Sequence, residues 1–194
     1  MDLVLSIALG IGLAAACGFR VFVPLLVIGI AGRTEHLVLA DGMQWMAEAP
    51  AILCFFIATV LEIAAYYVPW LDNLLDTIAS PAAVVAGSVA TASVVQDMSP
   101  FLRWTLALIA GGGVACMVQG ITVGVRSAST ATTAGFANFL IATLELILAF
   151  VTSIAAMLLP VVTVLSVVVI LAAASRIVLA RLRKKLVQAK PTPT

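Results

Sequence analysis

Gly18-Phe19-Arg20-Val21-Phe22-Val23-Pro24 lies inside an apolar run from Leu3 to Ile30 whose only charge is Arg20. An arginine in hydrocarbon costs roughly 2.5–3.5 kcal/mol on insertion scales, and is tolerated where it faces protein or water and meets an anion. The run is longer than the roughly 20 apolar residues that cross a bilayer core of about 30 Å. It must therefore tilt, or be interrupted between Gly18 and Pro24, because proline lacks a backbone donor and its ring clashes one turn back. At this stage a kink and a full break are equally open.

The rest of the chain has the same solvent. Of 194 residues, 63% are hydrophobic and 10% charged, with a mean hydropathy of +1.22. A soluble domain carries about 25% charged residues, so the deficit points to a lipid bilayer. The net charge of +1 gives no field for nucleic acid. Six of the ten basic residues fall between Arg176 and Lys190. The start Met1-Asp2 lacks the basic region of a cleaved signal, so the first apolar run reads as a retained span. Cys17, Cys54 and Cys116 all lie in apolar runs, an odd set that suits packing better than disulfides or a metal site.

Moving outward, residues 31–50 carry Arg33, Glu35, His36, Asp41 and Glu48 and read as a polar connection, with a short interfacial helix near Met43, Trp45 and Met46. His36, the only histidine, has no partner at ligand spacing. A second span covers 51–68 and holds Glu62; its end, Tyr66-Tyr67-Val68-Pro69-Trp70, reads as an interfacial aromatic belt. In 71–80, Leu71, Leu74, Leu75 and Ile78 share one helical face, with Asp72 and Asp76 one turn apart on another, as in a short amphipathic helix. Pro81 then suits the start of a third span, 82–95. The fourth, 101–125, is rich in small residues (Gly111 to Gly113, Gly120, Gly124) that let membrane helices approach closely, and contains Gln119. Arg126 follows, then 127–135, read as a loop or an unwound segment. The fifth span, 137–159, carries Asn138 and Glu145, and Pro160 opens the sixth. The basic tail after it stays cytoplasmic, and six spans then place the N-terminus there too.

Two halves echo each other. Gly-x-Arg, Phe-x-Ile-Ala-Thr, Glu and Pro occur in that order as Gly18/Arg20, Phe55–Thr59, Glu62 and Pro81, and again as Gly124/Arg126, Phe139–Thr143, Glu145 and Pro160. Three spans per half invert the second half, an arrangement common in transporters with a site between the repeats. The ionisable residues in or beside the spans, Arg20, Glu62, Arg126 and Glu145, sum to zero charge. They are either ion pairs that fix packing or the lining of a polar pathway, and intramembrane charges are functional candidates by default. No cluster suits metal or hydrolytic chemistry, and Gly111-Gly112-Gly113 lacks the Lys-Ser/Thr of a phosphate loop.

Gly18-Phe19-Arg20 with Pro24-Leu25-Leu26, Glu62, Pro69-Trp70-Leu71-Asp72, Asp76, Pro81, Gly87, Arg126, Asn138 and Glu145 together resemble the bacterial membrane proteins catalogued as domain of unknown function 4126. The resemblance covers about residues 5–180 and implies an integral membrane protein. This chain departs from the family pattern at three places: members often carry an Asp-Lys pair where Tyr66-Tyr67 stands, an arginine where Ser80 stands and a second acid where Leu146 stands.

The expectation is thus an all-α polytopic bundle of about six spans, as two inverted three-helix repeats plus a short amphipathic helix. Residues 1–180 form one transmembrane domain (halves about 3–96 and 101–180), and 181–194 a basic cytoplasmic tail. The expected function is a small transporter or channel in a bacterial inner membrane, without enzymatic activity or cofactor. Its polar site would be Arg20, Glu62, Arg126, Glu145 and Asn138, its helix break Gly18 and Pro24, and its cytoplasmic mouth Asp72 and Asp76. The alternative is a non-transporting scaffold or accessory subunit. Partners are the bilayer and a homo-oligomer or larger membrane complex.

Overall fold

The computed structural model describes residues 2–66, 69–133 and 136–188, with side chains described outside 69–76 and 177–188. All regular structure among these residues is helical: α1 (Leu3–Phe19), α2 (Phe22–Arg33), a 3₁₀ turn (Gln44–Ala47), α3 (Ala49–Tyr66), α4 (Pro69–Val94), α5 (Pro100–Leu106), a π segment (Ala107–Gly112), α6 (Gly113–Thr133), α7 (Asn138–Leu158) and α8 (Pro160–Gln188). Among the described residues, four stretches are long and apolar enough to cross a membrane: Ala49–Tyr66, Thr77–Val94, Pro100–Thr133 and Asn138–Leu158.

The bundle buries small residues and exposes large ones. Ala14, Ala15, Ala16, Ala83, Ala90, Ala115, Ser93 and Thr91 are fully enclosed, whereas Ile109, Phe136 and Leu158 are more than 70% exposed. That distribution suits lipid, where close van der Waals packing rather than water exclusion holds helices together. α1 is the axis and touches α4, α6, α7 and α8. Thr91 Oγ1 donates to the Gly10 carbonyl at 3.1 Å. At Gly18 a Cβ would lie 2.7 Å from the Ala115 carbonyl oxygen, so only glycine admits α6 this closely.

The first apolar run is neither a kinked nor a tilted single span. It folds into a V. Arg20 is extended (φ −146°, ψ 132°) and ends α1, and α2 starts two residues later. Pro24 sits in the first turn of α2, where its missing N–H leaves no helical bond unmade; in a continuous helix its ring would strike the Arg20 carbonyl. The break thus falls between Gly18 and Pro24.

Contacts give the two arms opposite directions. Gly10 lies against Thr91 near the end of α4, and Gly18 against Val118. On α2 the order reverses: Phe22 meets Glu62 late in α3, whereas Gly29 meets Ile52 early in it. The arms are about 25 and 18 Å long at 1.5 Å per residue. The V therefore enters from the end of the bundle where α3 begins, and its tip stops inside.

This alters the expected path. α1, α5–α6 and α8 run one way with α3; α2, α4 and α7 run back. Leu3 and the C-terminal part of α8 consequently lie at opposite ends, not on one side. α1 and α6 run in the same direction, so three-helix halves beginning at Leu3 are not inverted with respect to one another; the triplets that run oppositely are α2–α4 and α6–α8.

Other expectations change too. α4 is one helix from Pro69 through Pro81 to Val94, so the amphipathic segment and the third span are continuous. Membrane helices tolerate such prolines because neighbours re-satisfy the freed backbone groups. Residues 127–133 extend α6 rather than forming a loop or unwound segment, their hydroxyls bonding back to its carbonyls, as Thr133 does to Ser129; 134–135 lie outside the described residues. Cys17 is buried, but Cys54 and Cys116 are on the outer surface. The connection 34–48 is less polar in effect than in composition. Leu37, Leu39, Met43 and Met46 are buried, and the Ala40 N–H donates to the Ser93 carbonyl at 2.7 Å. His36 stays exposed and pairs with Thr34.

Candidate functional site

The tip of the V carries two unmet needs: a charge, and the free N–H groups of a new helix start. Separate carboxylates answer them. Glu62, on α3, accepts from the N–H of Val21 at 2.9 Å and of Phe22 at 3.2 Å. Its negative charge also suits the positive end of α2. Both its oxygens are engaged by backbone.

Glu145, on α7, answers charge. Arg126 Nε donates to its Oε1 at 3.0 Å, and Arg126 Nη2 donates to Oε2, a side-on pair of charge-assisted bonds. Arg20 Nη2 approaches the same Oε2 at 3.8 Å and donates to the Ala142 carbonyl at 2.8 Å. Arg20 and Arg126 are each 2% exposed and Glu145 is 4% exposed. One carboxylate thus faces two guanidiniums, one from each half of the chain.

Tyr66 completes the cluster. Its ring centroid is 3.8 Å from the Arg20 guanidinium carbon and 4.0 Å from that of Arg126. Such contacts are worth about 0.5–2 kcal/mol each, more when desolvated. Reading Tyr66 as part of an interfacial belt is corrected here: it is 6% exposed. The overlooked signal is its spacing. Thr59, Glu62 and Tyr66 stand at i, i+3 and i+7 and are the buried residues of α3. Among the buried residues of α6, Gln119, Thr122 and Arg126 repeat the same offsets, as do Ala142, Glu145 and Ala149 on α7.

The cluster therefore joins Arg20, Glu62, Arg126 and Glu145. Asn138 lies seven residues before Glu145, about 10 Å along the helix, and donates to Thr130 Oγ1 at 3.1 Å, joining α6 to α7. Gly18 and Pro24 flank the break without touching charge in the bonds described. Asp72 and Asp76 are on the first turns of α4, and their side chains lie outside the described residues. No group of three metal-ligating side chains occurs among the described residues.

A family model described as Domain of unknown function (DUF4126) matches residues 7–180. The chain belongs to that family. The resemblance read from the Arg20, Glu62, Arg126 and Glu145 motifs is thereby confirmed. No curated protein and no solved structure matches it. The family description gives no activity, so the chemistry rests on the cluster itself.

Proposed function

We propose that this membrane protein is a small transporter or channel for an ion or small solute, with Arg20, Arg126, Glu62 and Glu145 as its polar site. The observation that carries this reading is the V whose tip ends inside the bundle. Non-helical backbone at membrane depth is tolerated where it is buried in protein or lines an aqueous cavity. Transporters build sites from interrupted helices whose ends meet at a repeat interface. Here the interrupted helix brings an arginine to two carboxylates. In this reading α2–α4 and α6–α8 are the inverted units, and α1 stands outside them. Asp72 and Asp76 form the mouth at the end where Tyr66 lies. In this reading the basic tail of α8 supports a cytoplasmic position for that end, in a bacterial inner membrane, with Leu3 on the other side.

The test is flux from vesicles containing purified protein, normalised to folded protein. Glu62→Gln is expected to reduce flux at least tenfold while folded protein is still recovered. Undiminished flux per folded molecule would confine Glu62 to packing.

A second reading, a scaffold or accessory subunit, has its own support. At Gly113, Gly120 and Gly124 on α6 an added Cβ would meet no other part of the described residues within 4 Å, their own helix backbone aside. A face of this kind accepts another membrane helix closely. A Gly120→Ile variant that loses a copurifying partner, with flux absent from the parent, would favour the scaffold.

A further inference from the structure

We infer that Arg20 holds a small monovalent anion, a substrate class that deepens the transport reading and rests on it. A guanidinium has five N–H donors. On Arg20, Nη2 is used by Ala142, while Nε and Nη1 have no hydrogen-bond partner among the described residues. The side chain is 2% exposed, so bulk water does not serve them. Leaving a buried donor unmet is costly, and more so on a charged group.

The neighbouring acids are already committed. Glu62 gives both oxygens to the Val21 and Phe22 N–H groups. Glu145 gives both to Arg126 and stands 3.8 Å from Arg20, beyond a hydrogen bond. Arg20 therefore keeps donors that neither carboxylate meets with a hydrogen bond. Each of its two-pronged edges, Nε with Nη2 and Nη1 with Nη2, keeps a donor for an outside acceptor. Guanidinium edges of this kind suit carboxylate-like and oxyanion ligands.

Charge sets the valence. Among the described side chains of the cluster, two arginines and two glutamates cancel, so a visitor's charge adds to a neutral set. A single negative charge is the smallest excess that an anion can bring to the donors of Arg20. A divalent anion leaves an excess that a low-dielectric interior penalises severely.

The probes are sodium nitrate and sodium chloride, against sodium gluconate at equal ionic strength. Thermal unfolding of the full-length protein in detergent is followed as each is titrated. Nitrate and chloride are expected to raise the transition temperature saturably, as a ligand of the folded state does, and gluconate is not. In Arg20→Lys, which keeps the charge but loses the planar edges, the concentration needed is expected to rise at least tenfold. Equal stabilisation of both variants, or by all three salts, overturns the inference. If Arg20→Lys does not fold, crystals of the parent grown in bromide decide: anomalous scattering beside Arg20 supports the site, and its absence there overturns it. Vesicle flux separates the two readings. Saturable nitrate binding without flux keeps the anion site and removes transport. Flux of a cation or neutral solute without nitrate stabilisation removes the anion site and keeps transport.

Discussion

Arg20 and Arg126 share a ring and a carboxylate, yet the backbones that carry them differ. Arg126 sits within an unbroken α6, where its own peptide groups are satisfied and only its charge needs an answer. Arg20 ends a helix, and its neighbours Val21 and Phe22 begin another. The second situation needs an extra acceptor, and Glu62 supplies it. Two glutamates at matching places in the sequence thus make different bonds: Glu62 holds a helix start beside Arg20, and Glu145 bonds a guanidinium directly.

Four substitutions press on that difference. The largest effect is expected from Glu145→Gln, because it removes the carboxylate that Arg126 bonds twice and Arg20 approaches. Breaking a buried pair on one side typically costs about 3–5 kcal/mol, to be read from equilibrium unfolding in mixed micelles. A loss below about 1 kcal/mol would mean that Glu62 neutralises the arginines after all. Glu62→Gln comes next. Its amide oxygen still accepts one N–H, but its NH₂ meets a second donor, which is expected to cost about 1–3 kcal/mol. Amide exchange at Val21 and Phe22 should accelerate, while the α6 backbone around Arg126 should not change. Tyr66→Leu removes both cation–π contacts at once, for about 1–2 kcal/mol. Tyr66→Phe should recover most of it; if it does not, the hydroxyl rather than the ring is what matters. Pro24→Ala is expected to change stability by less than about 1 kcal/mol, since the proline occupies a first turn that already suits it. If α1 and α2 merge in that variant, shown by protection of the Val21 amide without Glu62, the proline and not the carboxylate maintains the break.

Much of this was legible in the residues. A lone arginine flanked by Gly18 and Pro24 within apolar sequence locates an interruption, and four ionisable residues of zero sum point to one another. The direction of α2 was not legible. Proline and glycine reveal where a helix stops, but the angle of the next one is set by what it packs against, here α3 and the buried side of the 34–48 connection. That single reversal also sets Leu3 and the C-terminal part of α8 at opposite ends of the bundle, because each pass flips the end at which the next begins. Pro81 misled for the opposite reason: in lipid a helix has few alternatives to continuing, so the residue that starts helices in water is absorbed. Tyr66 was hidden by its neighbours, since an aromatic at a span end looks like a belt until its spacing from Glu62 is weighed.

The connection 34–48 closes the far end of the bundle. Besides the Ala40–Ser93 bond, Gln96 Nε2 holds the Val38 carbonyl at 2.8 Å and Arg103 Nη2 holds that of Asp41 at 3.0 Å. Beneath it, Leu13, Cys17, Met46 and Val94 fill the interior. The charged cluster is consequently closed off from that end: under the transport proposal a solute would have to reach it from the Tyr66 end, and through-passage would require that this stopper, or the V beneath it, be dislodged.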